Sequence, residues 1–581
     1  MKKLIFLLPI CALLLSACSN EGNDPEIGPE VSDDVTRSYL SVALYAPASS
    51  TRADGGYQDG TISESKVNNV RFFFFKENGD ACMVFKQAAT GSYLSYIDWT
   101  PYDSDINDGG DPDLTVEKIA TATLGLNQPN NEGLPSLVLA IVNPTSDILA
   151  LENPDLDDLT SLVNDYYTGL HDSNFLITNS VYVNSDGIAI TATPTSQENF
   201  GDPLVENSVE SMQTLNIFVE RVLARLDFSL NLDEDTNPVT YLDDGTPIYK
   251  VSSQSINGQT ATPVYAKLLG WNITATSKKS RAIKLINPNW DDDIFGGVLN
   301  PWNTPQFCRS FWAINPPPIN SQEPFYSYGD FDNATSQDIP EDEPVTVYLQ
   351  ENAADYSGSL SYEGPKTPTC VIIGAELVYE NGETAKLARW ANRYYTQDNL
   401  LTEIANVLNL YQKTENPNGD IVFDQITPDC LEFVSSENIT LPEGETKESY
   451  YAYVQLNKKG EQIDWYGSKS LNATPLGKDA TNNYIINRVN YVLVWNNGLT
   501  YYYFDIRHLG VEDGKTGYYG VVRNHLYQTN LTGIAGLGTP VFDPDQVIYP
   551  TKPSQDDHIL QVQVNVLQWK IVTQDYVVSW P

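Results

Sequence analysis

Alternation of apolar and polar positions dominates this chain. In Tyr39-Leu40-Ser41-Val42-Ala43-Leu44-Tyr45, residues Leu40, Val42 and Leu44 share one face, which predicts a strand with one buried side. Residues 46–58 follow as a small-residue, polar loop that contains Arg52. An exposed loop of that kind is where proteases cut. Val70–Phe75 is strongly strand-forming, and Leu137–Val142 is a continuous apolar strand closed by Asn143-Pro144. Residues 217–232 alternate into a further strand, and 233–245 form a turn-rich break. Leu159, Leu162, Val163 and Tyr166 recur at helical spacing and predict one short helix. Leu400, Ile404, Val407, Leu408 and Tyr411 predict an amphipathic helix within 398–413, with Asp398 as its N-cap. Two β runs, 489–495 and 499–506, flank Asn496-Asn497-Gly498, and Asn-Gly between such runs predicts a hairpin. No repeat of 20–50 residues is evident, which argues against a solenoid or propeller.

The two ends carry their own signals. Lys2 and Lys3 precede twelve apolar residues, 4–15, too few to span a bilayer but suited to an export signal. Leu15-Ser16-Ala17-Cys18 resembles a bacterial lipobox, which implies acylation of Cys18 with palmitate-type chains after removal of residues 1–17. Residues 19–32 read as a polar tether. At the far end a Pro- and Asp-rich linker, 543–557, leads into 558–581. There Leu560, Val562, Val564 and Val566 share one face, Trp569 and Ile571 lie on the opposite parity, and Tyr576, Val578 and Trp580 return to the first. An alternating apolar strand at a terminus needs a partner, because an open edge of that type invites association.

Composition narrows the function classes. Thirty-four basic and 76 acidic residues give a net charge of −42, the reverse of what phosphate or anionic-lipid binding requires. No nucleic-acid partner is expected, and membrane contact is expected only through the lipid of the precursor. Hydrophobic residues at 41% support large cores, while 37 Gly, 35 Pro and only 19% charged residues suit a turn-rich β protein. Four His and three Met leave little for metal or redox chemistry, and GxSxG, HExxH and a helix-opening GxGxxG are all absent. Neither an enzyme activity nor a cofactor is expected. Residues 510–516 look like a phosphate loop but place three residues between glycines where four are needed. Asp103, Asp105, Asn107 and Asp111 alternate as calcium ligands would. Asp108 and Leu114 stand where an EF-hand needs Gly and Glu, so a solvated loop is the reading and no metal is assigned. Beyond Cys11 and Cys18, the spacing of Cys82, Cys308, Cys370 and Cys430 selects no disulfide pairing.

Further segments carry a family resemblance. Residues 175–180 (FLITNS), 219–225 (VERVLAR), Tyr501-Tyr502-Tyr503, 506–510 (IRHLG) and 519–527, together with the lipobox, the early strand before an Arg and the terminal strand, resemble the Bacteroidota type V pilins. This is the FimA-like and Mfa-like fimbrial subunit superfamily, and the long Mfa-type shaft subunits fit best. The resemblance implies a mainly β chain of two tandem transthyretin-like β-sandwich domains with a few short helices. It divides the chain into a signal (1–17), a lipidated propeptide with a removable strand (18–52), an N-terminal domain (53–218), a C-terminal domain (219–557) and a donor-strand segment (558–581). It also implies cleavage between Arg52 and Ala53 by an Arg-specific protease. Loss of Leu40, Val42 and Leu44 would open a groove, and another copy's Trp569, Ile571, Tyr576, Val578 and Trp580 would fill it. Head-to-tail repetition would build an adhesive fimbrium that also supports biofilm formation, with other fimbrial subunits and host or bacterial surface receptors as partners. Rival readings are an accessory, tip or anchor subunit, and a surface glycan-binding lipoprotein whose ten Trp and 35 Tyr line sugar platforms.

Overall fold

The computed structural model describes residues 35–47, 66–101, 116–166, 175–183, 188–274, 279–286, 338–340, 343–353, 369–441, 450–506, 520–545, 548 and 558–568. The fold is mainly β, with a few short helices.

The first part is a nine-stranded sheet. Its strands include β1 (Val35–Pro47), β2 (Val70–Phe75), β3 (Tyr96–Trp99), β4 (Val116–Pro129), β5 (Leu137–Val142), β6 (Ile177–Asn179), β7 (Phe200–Gly201) and β8 (Leu215–Arg221). From β8 the path runs β8-β6-β5-β2-β3, and β1 flanks β8 on its other side. The unbroken apolar run of β5, and that of β2 apart from Arg71, have a physical reason: both faces of these strands are covered. Phe72, Phe74, Val138, Ala140 and Val142 enter one core together with Leu40, Val42 and Leu44. Phe73, Phe75, Leu139 and Ile141 enter a second core, beneath the short helices Ser146–Leu149 and Leu156–Thr160.

The second part places two sheets over one core. Strands β9 (Leu223–Leu230), β12 (Val345–Gln350), β15 (His525–Gly536) and β16 (His558–Gln568) form one sheet, in the order β12-β9-β15-β16. Strands β10 (Pro247–Ser255), β11 (Ala261–Thr274), β13 (Cys370–Val378) and β14 (Leu499–Asp505) form the centre of a six-stranded antiparallel sheet. Leu226, Phe228, Tyr527 and Leu531 of the first sheet meet Trp271, Ile373, Leu377 and Tyr502 of the second.

Several sequence expectations change here. The single strand expected over 217–232 is two strands in different sheets. Only Val222 lies between β8 and β9, and its side chain turns into the second core of the first part. The helix expected from Leu159 to Tyr166 is Leu156–Thr160; Val163 has already joined a short strand pairing with Ser280–Arg281. The longer helix runs Gln397–Val407 with Thr396 as N-cap, not Asp398, and Tyr411 opens a strand. The Asn496-Asn497-Gly498 turn exists, with Asn497 at φ 50° and Gly498 at φ 72°. It closes no hairpin ladder. Residues 478–489 are a helix, Leu493–Val494 pairs with Leu387–Trp390, and β14 pairs with β13. The turn ends a large insertion, residues 379–498, that leaves β13 and returns to its ladder neighbour β14. The insertion has its own core, containing Leu400, Ile404, Leu431, Val454, Trp465 and Ile485.

Candidate functional site

The arrangement around β1 is the feature that sequence alternation anticipates. Leu40, Val42 and Leu44 are 0%, 0% and 1% exposed and lie in the core with Phe72, Phe74 and Ile217. One edge of β1 is paired with β4 along its whole length, Val35↔Pro129 through Pro47↔Val116, with one irregularity between Leu44 and Tyr45. The other edge pairs antiparallel with β7 at Tyr39 and Leu40, then parallel with β8 from Val42 to Tyr45. Across that second seam Tyr45 stacks on Phe218 with ring centroids 5.5 Å apart. The slot is therefore closed on two edges and one face, and its filler must run in one direction to match both ladders.

Sequence reasoning missed β4, the longest partner of β1. Its signal is an alternation at Ala120, Ala122, Leu124 and Leu126, all buried and spaced by polar residues or Gly125. Small alanines make that alternation quiet. They face the large side chains of β1: Leu44 pairs with Ala120 and Val42 with Ala122.

The terminal strand is placed differently. β16 lies at one end of its sheet and pairs antiparallel with β15, His525↔Gln568 through Gly536↔His558. So the first part of the 558–581 segment is seated on its own chain. Trp569, Ile571, Tyr576, Val578 and Trp580 lie outside the described residues, as do Cys18, Arg52, Ala53, the Asp103–Asp105–Asn107–Asp111 loop, residues 510–516 and Cys308.

Two other arginines bear on the choice of cleavage position. Arg37 is exposed on β1, upstream of the buried residues. Arg71 is 4% exposed and held: its Nε and Nη2 donate to Asp98 at 2.7 and 2.8 Å, Nη1 donates to the Leu149 carbonyl, and the guanidinium lies 3.9 Å from the Tyr96 ring centroid. Cys82, Cys370 and Cys430 are buried and form no disulfide among the described residues, and the Cys370 thiol donates to Asp505 at 3.3 Å. Burial, assisted by Glu132, pushes Cys82 up to about 12, and burial together with Asp505 raises Cys370. Among the described residues there is no cluster of three or more metal-ligating side chains, and no helix is long and apolar enough to cross a membrane.

Residues 494–575 match the family model described as major fimbrial subunit protein type IV, fimbrillin, C-terminal. That stretch includes β14, β15 and β16. No curated protein matches the sequence. Among solved structures, the chain is similar to a fimbrilin (FimA) from Porphyromonas gingivalis, at 12% identity and a TM-score of 0.34, covering 92% of this chain and 99% of that one. A tip fimbrial protein of the same organism, with a C-terminal truncation, is 8% identical at a TM-score of 0.31, covering 91% and 100%. A fimbrial assembly protein from Parabacteroides distasonis is 10% identical at a TM-score of 0.27, covering 67% and 100%. The chain is thus similar to fimbrillins in its C-terminal segment, residues 494–575.

Proposed function

We propose that this fimbrial subunit is a shaft protein that polymerises by exchanging β1 for the terminal strand of another copy. The precursor is exported as an outer-membrane lipoprotein carrying lipid on Cys18. An Arg-specific protease cuts between Arg52 and Ala53, β1 leaves, and the 569–581 segment of a second copy enters the slot. The observation that carries this reading is the closure of β1 on two edges and one face, next to a chain segment that contains Arg52. Cutting there frees the whole strand, whereas cutting after Arg37 leaves Leu40, Val42 and Leu44 attached, and Arg71 is locked in its own strand. The replacement is costly to undo. Each large apolar side chain seated in the slot contributes about 1.5–3 kcal/mol, and the paired backbone adds to that.

The tail supplies matching material. Tyr576, Val578 and Trp580 alternate as Leu40, Val42 and Leu44 do. Other fimbrial subunits and a surface receptor are further partners on this reading. The test is electron microscopy of protein treated with an Arg-specific protease, with N-terminal sequencing of the polymerised chain. Filaments whose subunits begin Ala53-Asp54-Gly55-Gly56 support it; an N-terminus at Ser38, or protein that binds glycans and forms no filaments, overturns it.

A further inference from the structure

If β1 leaves, as the proposed function holds, the strands it held must survive until a replacement arrives. β4 loses its only ladder among the described strands, and β8 loses the Val42–Tyr45 pairing. What remains is β8-β6-β5-β2-β3, with one face newly open. Its opposite face is covered from later in the chain.

Residues 280–286 follow β11 and belong by chain order to the second part, yet they cross to the first. Ser280 and Arg281 pair with Asn164 and Val163, and the Ala282 N–H donates to the Leu162 carbonyl at 3.1 Å. Ala282, Ile283 and Ile286 pack on Phe73, Phe75, Leu139 and Ile141 of β2 and β5. Val522 reaches the same core from just before β15.

Charge fixes both crossings. Lys284 and Glu220 side chains are fully buried and 2.9 Å apart, and Ser180 donates to the second Glu220 oxygen at 3.3 Å. Burial pulls Lys284 below its ordinary value, and the Glu220 carboxylate opposes that shift. Arg523 pairs with Glu351 through two donors, and its Nη1 and Nη2 donate to the carbonyls of Ala282 and Arg281 at 3.1 and 2.8 Å. Asn524 accepts from the Arg221 backbone N–H and Nη1, both at 3.2 Å. Glu220 and Arg221 end β8, so the two crossings grip the strand that borders the slot. Such pairs hold only while both partners stay in place, because a buried charge left alone is strongly unfavourable.

We infer that residues 280–286 and 522–524 are a brace that keeps β8, β6, β5 and β2 folded while the β1 slot is empty. Cores on the two faces of one sheet allow this, since opening one face leaves the other packed.

Native-state hydrogen exchange on the full chain tests the brace without any protease or polymerisation, so its failure is separate from a failure of the exchange reading. Amides of β1 and β4 are expected to exchange through a partial opening, with those of β8, β6, β5 and β2 at least 100-fold slower. Ile283→Ala is expected to narrow that gap at least tenfold by speeding β5, β6 and β8 while leaving β1 and β4 unchanged; Lys284→Met is expected to narrow it further. Should Lys284→Met fail to fold, Ile283→Ala alone carries the comparison. A single common exchange rate for all first-part strands in the unaltered chain overturns the brace. So does an Ile283→Ala chain in which β1 and β4 accelerate as much as β5.

Discussion

β1 and β16 are the first and last described strands of one chain, and they are held in opposite ways. β1 is paired on both edges, and its alternate side chains fill a core. Among the described strands β16 is the end strand of its sheet, paired with β15 alone. A strand held on both edges cannot be lost without leaving a groove that demands another strand; an end strand can be bent away at the cost of one ladder. On the proposed reading, that difference in pairing is what suits β1 to leave a groove and the C-terminal segment to fill one. β16 itself is seated on β15 through Gln568, so the proposed donation involves only the residues after it.

The largest expected effects break the donor side. Deleting residues 569–581 should leave a folded, cleavable subunit that forms no filaments and caps growing ones at one end, scored by electron microscopy of mixtures with the unaltered protein. Val578→Asp should act the same way, because seating a carboxylate in an apolar slot costs several kcal/mol. Normal filament lengths from either variant would assign donation to another segment. On the acceptor side, Arg52→Gln should abolish maturation under the same protease, with N-terminal sequencing as the readout; persistent cleavage to a shorter chain would move the site. Within β1, Leu44→Ala in the precursor should cost ~2–5 kcal/mol by denaturant unfolding, as for other fully buried large-to-small changes. A value under about 1 kcal/mol would mean that the slot collapses around the gap, against the close packing seen there.

The legibility of these two regions in sequence also differs. β1 announces itself, because its large side chains alternate against a single core and nothing nearby competes. β2 and β5 are legible for another reason, the four successive Phe of β2 and the unbroken apolar run of β5. β4 is less so, since two of its residues facing the buried side chains of β1, Ala120 and Ala122, are alanines. The break at Val222 hides inside what reads as one continuous strand, because no Gly or Pro marks it and the valine merely serves a different core. Lys478–Val489 carries four Asn and Thr residues in an interior that disfavours helix, and only Thr481, Ile485, Ile486 and Val489 are buried. Packing on the insertion's core decides that helix, which local propensity could not. The brace was equally hidden. Glu220, Lys284, Glu351 and Arg523 are scattered over 300 residues, and each looks like an ordinary surface charge until the chain crosses back.

The smallest expected effect gives the sharpest comparison. In a strand, successive backbone N–H groups point to opposite edges, and proline removes one. In β1 both edges are occupied between Val42 and Tyr45, by β4 and by β8. Val42→Pro and Ala43→Pro should therefore both destabilise the precursor, each leaving an unpaired buried carbonyl worth about 1–3 kcal/mol. In β16 the only edge paired among the described strands is the one facing β15, at Asn530↔Gln563 and Thr529↔Val564. Of Gln563→Pro and Val564→Pro, one should cost a ladder bond and the other should be nearly silent, because its lost N–H pointed away from the sheet. Denaturant unfolding of the four single variants gives the pattern directly: two losses in β1, one in β16. Equal losses at both β16 positions would reveal a second strand on its outer edge. β16 would then be as enclosed as β1, and the contrast between the two strands would be gone.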